Sequence, residues 1–220
     1  MDGTGRLFAP FVQALTPGFA SRVISYPPNQ VESFEQVCDR VAGQLGGLGH
    51  FVLVAESFSG PIALRLASRR PAGLLGVVLA ASFVKSPVGS WGPLRRPIAA
   101  LLRIRPPLWA IRMFLTGSNA RELTEQTSTA IRSVQRRVVA SRVEQVFSVD
   151  ATRELQECPV PILYLAGKRD RLVGARVTRR LRSARPELRV VTLDAPHLVL
   201  QSRPEEAAAA VVEFVESLAR

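Results

Sequence analysis

The twenty residues FVLVAESFSGPIALRLASRR, Phe51 to Arg70, decide how this chain folds. Phe51 to Ala55 form an apolar run with no polar residue alternating into it. A strand that is apolar at every position is covered on both faces, as in parallel sheets joined by helices. A helix follows from about Pro61 to Arg70, with Pro61 tolerated in its first turn. Between the two stands Ser57, flanked by Glu56 and Phe58, with the small residues Ala55, Ser59 and Gly60 close by. A nucleophile elbow is built this way: a tight turn between a buried strand and the next helix lifts a serine hydroxyl out of the sheet's C-terminal edge. Ala55 and Ser59 replace the two glycines of G-x-S-x-G but remain small. Small-x-Ser-x-small recurs by chance in many chains, and its place at a strand-to-helix junction is what gives it weight.

Outward from this stretch, helical and strand patterns alternate. Gly5 to Leu15 reads as a helix, Ser21 to Pro27 as a strand, and Ser33 to Leu45 as a helix opened by a Ser-x-x-Gln capping box. Leu74 to Ala81 is a further buried strand. After an interruption the alternation resumes with a strand at Val160 to Gly167, a helix near Val173 to Ser183, a strand at Leu188 to Asp194 and a helix from Pro204. The interruption, about residues 86–149, is helical throughout. The expected fold is α/β: one domain over residues 1–220, with a mostly parallel doubly wound sheet and an all-helical insertion at about 86–149.

Composition narrows the class. A chain of 220 residues with 47% hydrophobic and 21% charged residues is globular rather than disordered, and no apolar run reaches the roughly 18 residues of a membrane span. Cys38 and Cys158 are far apart and suggest neither a disulfide framework nor zinc. The N-terminal sequence does not read as a signal peptide, so a reducing cytoplasm is the expected location. The net charge of +11 is almost all arginine, Lys85 and Lys168 being the only lysines. No nucleic-acid-binding signature accompanies the charge, which favours arginines spread over solvated helix faces.

A serine hydroxyl needs a base, usually histidine. His50 begins the strand that Ser57 ends, which separates the two by roughly 20 Å at about 3.3 Å per residue. That leaves His197, in the loop after the last strand, on the elbow's own edge of the sheet. The imidazole in turn needs a carboxylate. Asp170 follows the preceding strand through a glycine-containing turn and is favoured on strand-edge geometry. Asp194, three residues before His197, is the rival, while Asp150 precedes a strand and is expected at the far edge. An oxyanion needs backbone N–H donors, and the amide of Phe58 supplies one.

The order Ser57, Asp170, His197, each just beyond a strand, resembles the α/β-hydrolase superfamily over nearly the whole chain. AESFSGPIAL is similar to the Gly-Glu-Ser-Phe-Gly-Gly elbow of its small bacterial esterase-like members. The resemblance implies that residues 86–149 form a lid. It also implies that the second oxyanion donor is the backbone amide at Met1. There, related proteins carry Pro-Gly-x-Asp-Gly-Thr-Gly after a strand that lies between Ser21–Pro27 and the elbow strand. A chain whose Met1 falls at that x is expected to continue a longer reading frame.

The activity expected is cleavage of a carboxylic ester or thioester through an acyl-enzyme, without cofactor or metal. The alternatives are acyl transfer by the same residues and a catalytically silent binding protein. The partner is a small-molecule ester or thioester. The lid segment interleaves Arg95, Arg96, Arg103, Arg105, Arg112, Arg132, Arg136, Arg137 and Arg142 with Trp91, Trp109 and Phe114. Its apolar side is expected over the active site with the arginines in water, while the same pattern offers a surface for membrane contact.

Overall fold

The computed structural model describes residues 2–15, 18–87, 106–118 and 120–218. Its sheet consists of β1 (Phe51–Glu56), β2 (Leu74–Ala80), β3 (Ile162–Gly167) and β4 (Arg189–Leu193), paired in parallel in the order β1-β2-β3-β4. All four therefore present their C-terminal ends at one edge. The helices are α1 (Ala9–Ala14), α2 (Phe34–Leu45), α3 (Ser59–Ser68), α4 (Leu108–Ile111), α5 (Arg121–Arg132), α6 (Arg136–Ser148), α7 (Thr152–Gln156), α8 (Ala175–Ala184), α9 (Val199–Ser202) and α10 (Pro204–Leu218). A π-helical turn, Arg112–Thr116, continues α4.

Strand side chains alternate between two helical layers. On β2, Val77 and Leu79 pack with Ala63, Leu64 and Ala67 of α3, Leu155 of α7 and Leu181 of α8. Val78 and Ala80 face the other way, toward Phe11 of α1, Val199 and Leu200 of α9, and Val211 and Phe214 of α10. Burial on both faces explains the unbroken apolar runs of β2 and β3, each large side chain contributing roughly 1.5–3 kcal/mol. The apolar run of β1 is not covered twice as expected: β1 ends the described sheet, and Val54 is 38% exposed. A third cluster joins Val37, Cys38 and Val41 of α2 to Ile62 and Leu66 of α3, with Tyr26 and Phe58. The capping box forms as expected: the Gln36 amide donates to Ser33 Oγ at 3.2 Å, and the Ser33 amide to Gln36 Oε1 at 2.8 Å.

Two expectations are corrected. Ser21 to Pro27 is not a strand, and Val23 is 45% exposed. Its β-branched residues fit a pleated sheet, but among the described residues no strand pairs with 21–27, and without a partner ladder the stretch is not a strand. Instead the Tyr26 amide donates to Gly3 O at 2.7 Å.

The second correction concerns the arginines between β2 and β3. Arg112, Arg132, Arg136 and Arg137 are exposed as expected, but Arg142 on α6 is only 4% exposed. Its guanidinium donates to Asp2 O at 2.6 Å and Pro27 O at 3.0 Å, and lies 5.5 Å from the centre of the Tyr26 ring. Burial pulls its pKa below the ordinary arginine value. α6 is thereby tied to two segments far away in sequence. Arg95, Arg96, Arg103, Arg105 and Trp91 lie outside the described residues.

Removing Arg142 strands two carbonyls under a packed helix. Arg142→Ala is expected to lower unfolding free energy in urea by about 2–3 kcal/mol, whereas Arg136→Ala on the exposed side changes it by less than about 0.5 kcal/mol. Equal effects of the two substitutions would refute this assignment.

Candidate active site

Ser57 stands between the end of β1 and the start of α3 with φ of 53°, a left-handed conformation rare outside glycine. The strain, about 1–3 kcal/mol, persists only because the surroundings hold it. The Ser57 amide donates to Ala80 O at 2.9 Å, and Ser82 Oγ donates to Ser57 O at 2.8 Å. Ser82 is anchored in turn by Tyr164 on β3, whose hydroxyl donates to Ser82 O at 2.9 Å. Burial pushes the Tyr164 phenol well above its usual range, so it stays a donor.

The small neighbours have distinct duties. A Cβ on Gly60 would lie 1.8 Å from Ser82 Oγ and 2.7 Å from Ser82 Cβ, so the first turn of α3 can cross Ser82 only as glycine. Ala55 is buried at 5% exposure. Ser59 Oγ accepts a hydrogen bond from Tyr26 at 2.9 Å. The residues that depart from the glycine pattern are thus built into the packing.

The loop after β4 brings His197 to the serine. His197 Nε2 lies 2.9 Å from Ser57 Oγ, and His197 Nδ1 lies 2.9 Å from Asp170 Oδ2. Asp170 sits past β3, where its Oδ1 accepts from the amides of Leu172 at 2.8 Å and Val173 at 2.9 Å. The Asp170 side chain is wholly buried and that of His197 is 4% exposed. Two backbone donors plus the imidazole satisfy the carboxylate, which is how a buried charge is tolerated.

The rivals are engaged elsewhere. Asp194 is exposed and pairs with Arg169 Nε at 2.8 Å. Asp150 precedes α7 rather than a strand; its carboxylate takes the Thr152 hydroxyl and Lys85 Nζ, and the Thr152 bond first of all holds its pKa low. His50 is exposed at the start of β1. Phe58 is the residue before α3, so its amide falls in the elbow turn. Met1 lies outside the described residues. Next to it, Gly3 (φ 64°) and Gly5 (φ 75°) adopt conformations that favour glycine, and Asp2 Oδ1 accepts from the Thr4 amide at 2.9 Å.

Between β2 and β3, Leu115 O accepts from the Leu198 amide at 3.0 Å, which sets the π-helical turn beside the His197 loop. Leu108 (48%), Trp109 (63%), Met113 (42%) and Phe114 (37%) are exposed there, while Ile111 and Thr116 are buried. These four apolar side chains are thus only partly covered. Among the described residues, no group of three or more His, Cys, Asp or Glu side chains could hold a metal ion, and no helix is long and apolar enough to cross a membrane.

Sequence reasoning missed Tyr26, Ser82, Tyr164 and Gln201, whose duties depend on contacts distant in the chain. Glu56 did carry a signal, as an ionisable residue ending a fully apolar strand. It is 8% exposed, and burial raises its pKa above the usual carboxylate range. Its Oε2 accepts from Gln201 Nε2 at 2.9 Å, and its Oε1 from the Leu200 amide at 3.2 Å.

With this geometry in view, the comparisons with known proteins agree on one architecture. The sequence pattern of the alpha/beta hydrolase family matches residues 5–211. A hydrolase from Oleispira antarctica superposes with a TM-score of 0.86 at 14% identity, over 98% of this chain and 88% of that one. A thermophilic esterase from Thermogutta terrifontis gives 0.78 at 21% identity, over 98% and 86%. The esterase RhEst1 from a Rhodococcus species gives 0.75 at 15%, over 99% and 88%. No curated protein matches the chain.

Two outcomes are expected. Gly60→Ala destabilises the fold by about 2–3 kcal/mol through overpacking, and Ser82→Gly in the same chain restores part of that loss in thermal unfolding; no restoration would show that the clash with Ser82 is not the cause. The native state also holds the Glu56 proton more tightly than the unfolded chain does. Its contribution to stability is therefore full below the ordinary carboxyl value of 4.5 and lost as pH rises through the raised folded value. Urea unfolding should show the stability of wild type relative to Glu56→Gln declining over that window, and a flat difference would contradict the shift.

Proposed function

The chain belongs to the alpha/beta hydrolase family, and on that footing we propose that it is a serine hydrolase that cleaves a carboxylic ester or thioester through an acyl-enzyme. The observation that carries the reading is the line of hydrogen bonds from Ser57 Oγ through both nitrogens of His197 to Asp170. Two structural neighbours described as esterases support an ester as the substrate class.

In this reading Ser57 Oγ attacks the acyl carbonyl as its proton passes to His197 Nε2. Asp170, holding Nδ1–H, fixes the tautomer and stabilises the imidazolium that forms. Charge collects on the carbonyl oxygen, where the Phe58 amide donates. Collapse breaks the bond to the alcohol or thiol, which leaves with the proton from His197. Water then attacks the acyl-Ser57 ester, gives a proton to His197, and releases the acid as Ser57 recovers its hydrogen.

Residues 86–149 act as the lid in this reading. The described part that borders His197 is apolar, which suits an acyl chain of small or medium length.

Fluorophosphonate labelling tests the assignment, because only an activated serine reacts quickly. The wild-type protein should be labelled at Ser57, and Ser57→Ala and His197→Ala should each abolish labelling and lower hydrolysis of a p-nitrophenyl ester by at least about a thousandfold. Absence of labelling in the folded wild type would overturn the enzyme reading in favour of a silent binding protein.

A further inference from the structure

We infer that Glu56 is a positioning residue: its carboxyl group holds the helical turn after His197 against the strand that leads into Ser57. This inference rests on the proposed roles of Ser57 and His197.

His197 stands between β4 and the four-residue α9, in a stretch with no regular secondary structure of its own. On the upstream side, the Arg169 amide donates to Ala195 O at 2.9 Å, which fastens the loop to the turn that carries Asp170. On the downstream side, Leu198 is held by Leu115 O, and the next contacts are those of Glu56 with Leu200 and Gln201. Glu56 is covalently joined to Ser57. One side chain therefore connects the residue before the serine to residues three and four places beyond the histidine, a separation of 144 to 145 positions in the chain.

Burying a carboxyl group at the end of an apolar strand is costly unless both oxygens are engaged, and here both are. An aliphatic residue would fill the volume without that cost but would leave the Leu200 amide and the Gln201 side chain unanswered. Gln201 Oε1 is buried without a partner among the described residues. Turning that amide over would present its oxygen to an N–H or O–H at position 56. Glutamine at 56 can thus keep both links, and alanine keeps neither. An error of about 1 Å between base and nucleophile is enough to cost roughly a hundredfold in rate.

The test compares Glu56→Ala, Glu56→Gln, Gln201→Leu and the Glu56→Ala/Gln201→Leu pair in the full chain. Glu56→Ala should slow fluorophosphonate labelling and reduce kcat for a short p-nitrophenyl ester by about 10–100-fold while KM stays within about twofold. Glu56→Gln should recover to within about threefold of wild type, and the pair should lose less than the product of the two single losses. The His197 Nδ1–H resonance gives a readout free of activity. It is assigned by its loss in His197→Gln, and should shift or broaden in Glu56→Ala but not in Glu56→Gln. Wild-type labelling rate and an unchanged His197 resonance in a folded Glu56→Ala would overturn the inference. If that variant fails to fold, the same result in Gln201→Leu would do so. If the wild type itself is not labelled, the hydrolase reading falls, and the His197 resonance alone decides the role of Glu56.

Discussion

The left-handed backbone at Ser57 is the constraint around which the site is organised. A residue at φ 53° with a side chain is held there only if its neighbours leave no alternative. β2 supplies that restraint, since Ala80 takes the serine's amide hydrogen and Ser82 occupies its carbonyl. Both restraints sit at the C-terminal end of the strand next to β1. The same Ser82 forbids a side chain at residue 60, so the elbow's conformation and its small-residue requirement have a single cause.

A parallel sheet then does most of the remaining assembly. Because β1, β3 and β4 run in the same direction, the residues just past them must emerge together. Asp170 and His197 are brought near Ser57 by topology before any specific side-chain contact acts. What topology cannot set is the last ångström. That falls to short polar links: Leu172 and Val173 to Asp170, Arg169 to Ala195, and Glu56 to the turn after His197. These links are largely buried, where hydrogen bonds are electrostatically stronger than in water and unpaired groups are most costly.

The segment between β2 and β3 is bound into this arrangement from two sides. Arg142 reaches from α6 to Asp2 and Pro27 and covers Tyr26, while Tyr26 reaches Ser59 in the elbow. Leu115 touches the loop that carries His197. A change in the set of α6 would therefore be felt first by the Asp2–Gly5 loop and the start of α3. The exposed apolar side chains from Leu108 to Phe114 belong to the stretch that Leu115 ties to this loop.

Much of this was legible in the primary structure, and the reason is local. An unbroken apolar run marks a strand, covered twice at β2 and β3 but only partly at β1; a Ser-x-x-Gln pattern means a capped helix, and a serine among small residues at such a junction means an elbow. Strand direction then selected His197 over His50 and favoured Asp170 over Asp194. The Ser21–Pro27 stretch misled because β-branched composition reports fitness for a sheet, whereas a strand exists only where a neighbour completes its hydrogen bonds. Arg142 misled for a related reason: an arginine at helical spacing looks solvated until distant carbonyls are known to meet it. By itself the sequence determined the order of elements, the edge of the sheet that matters and the residue types gathered there, since these follow from periodicity and chain direction. Only the tertiary structure decided that Ser82 restrains the elbow, that Tyr26 and Arg142 bind its flank, and that Glu56 meets Leu200 and Gln201, because each joins side chains to partners that no local pattern relates.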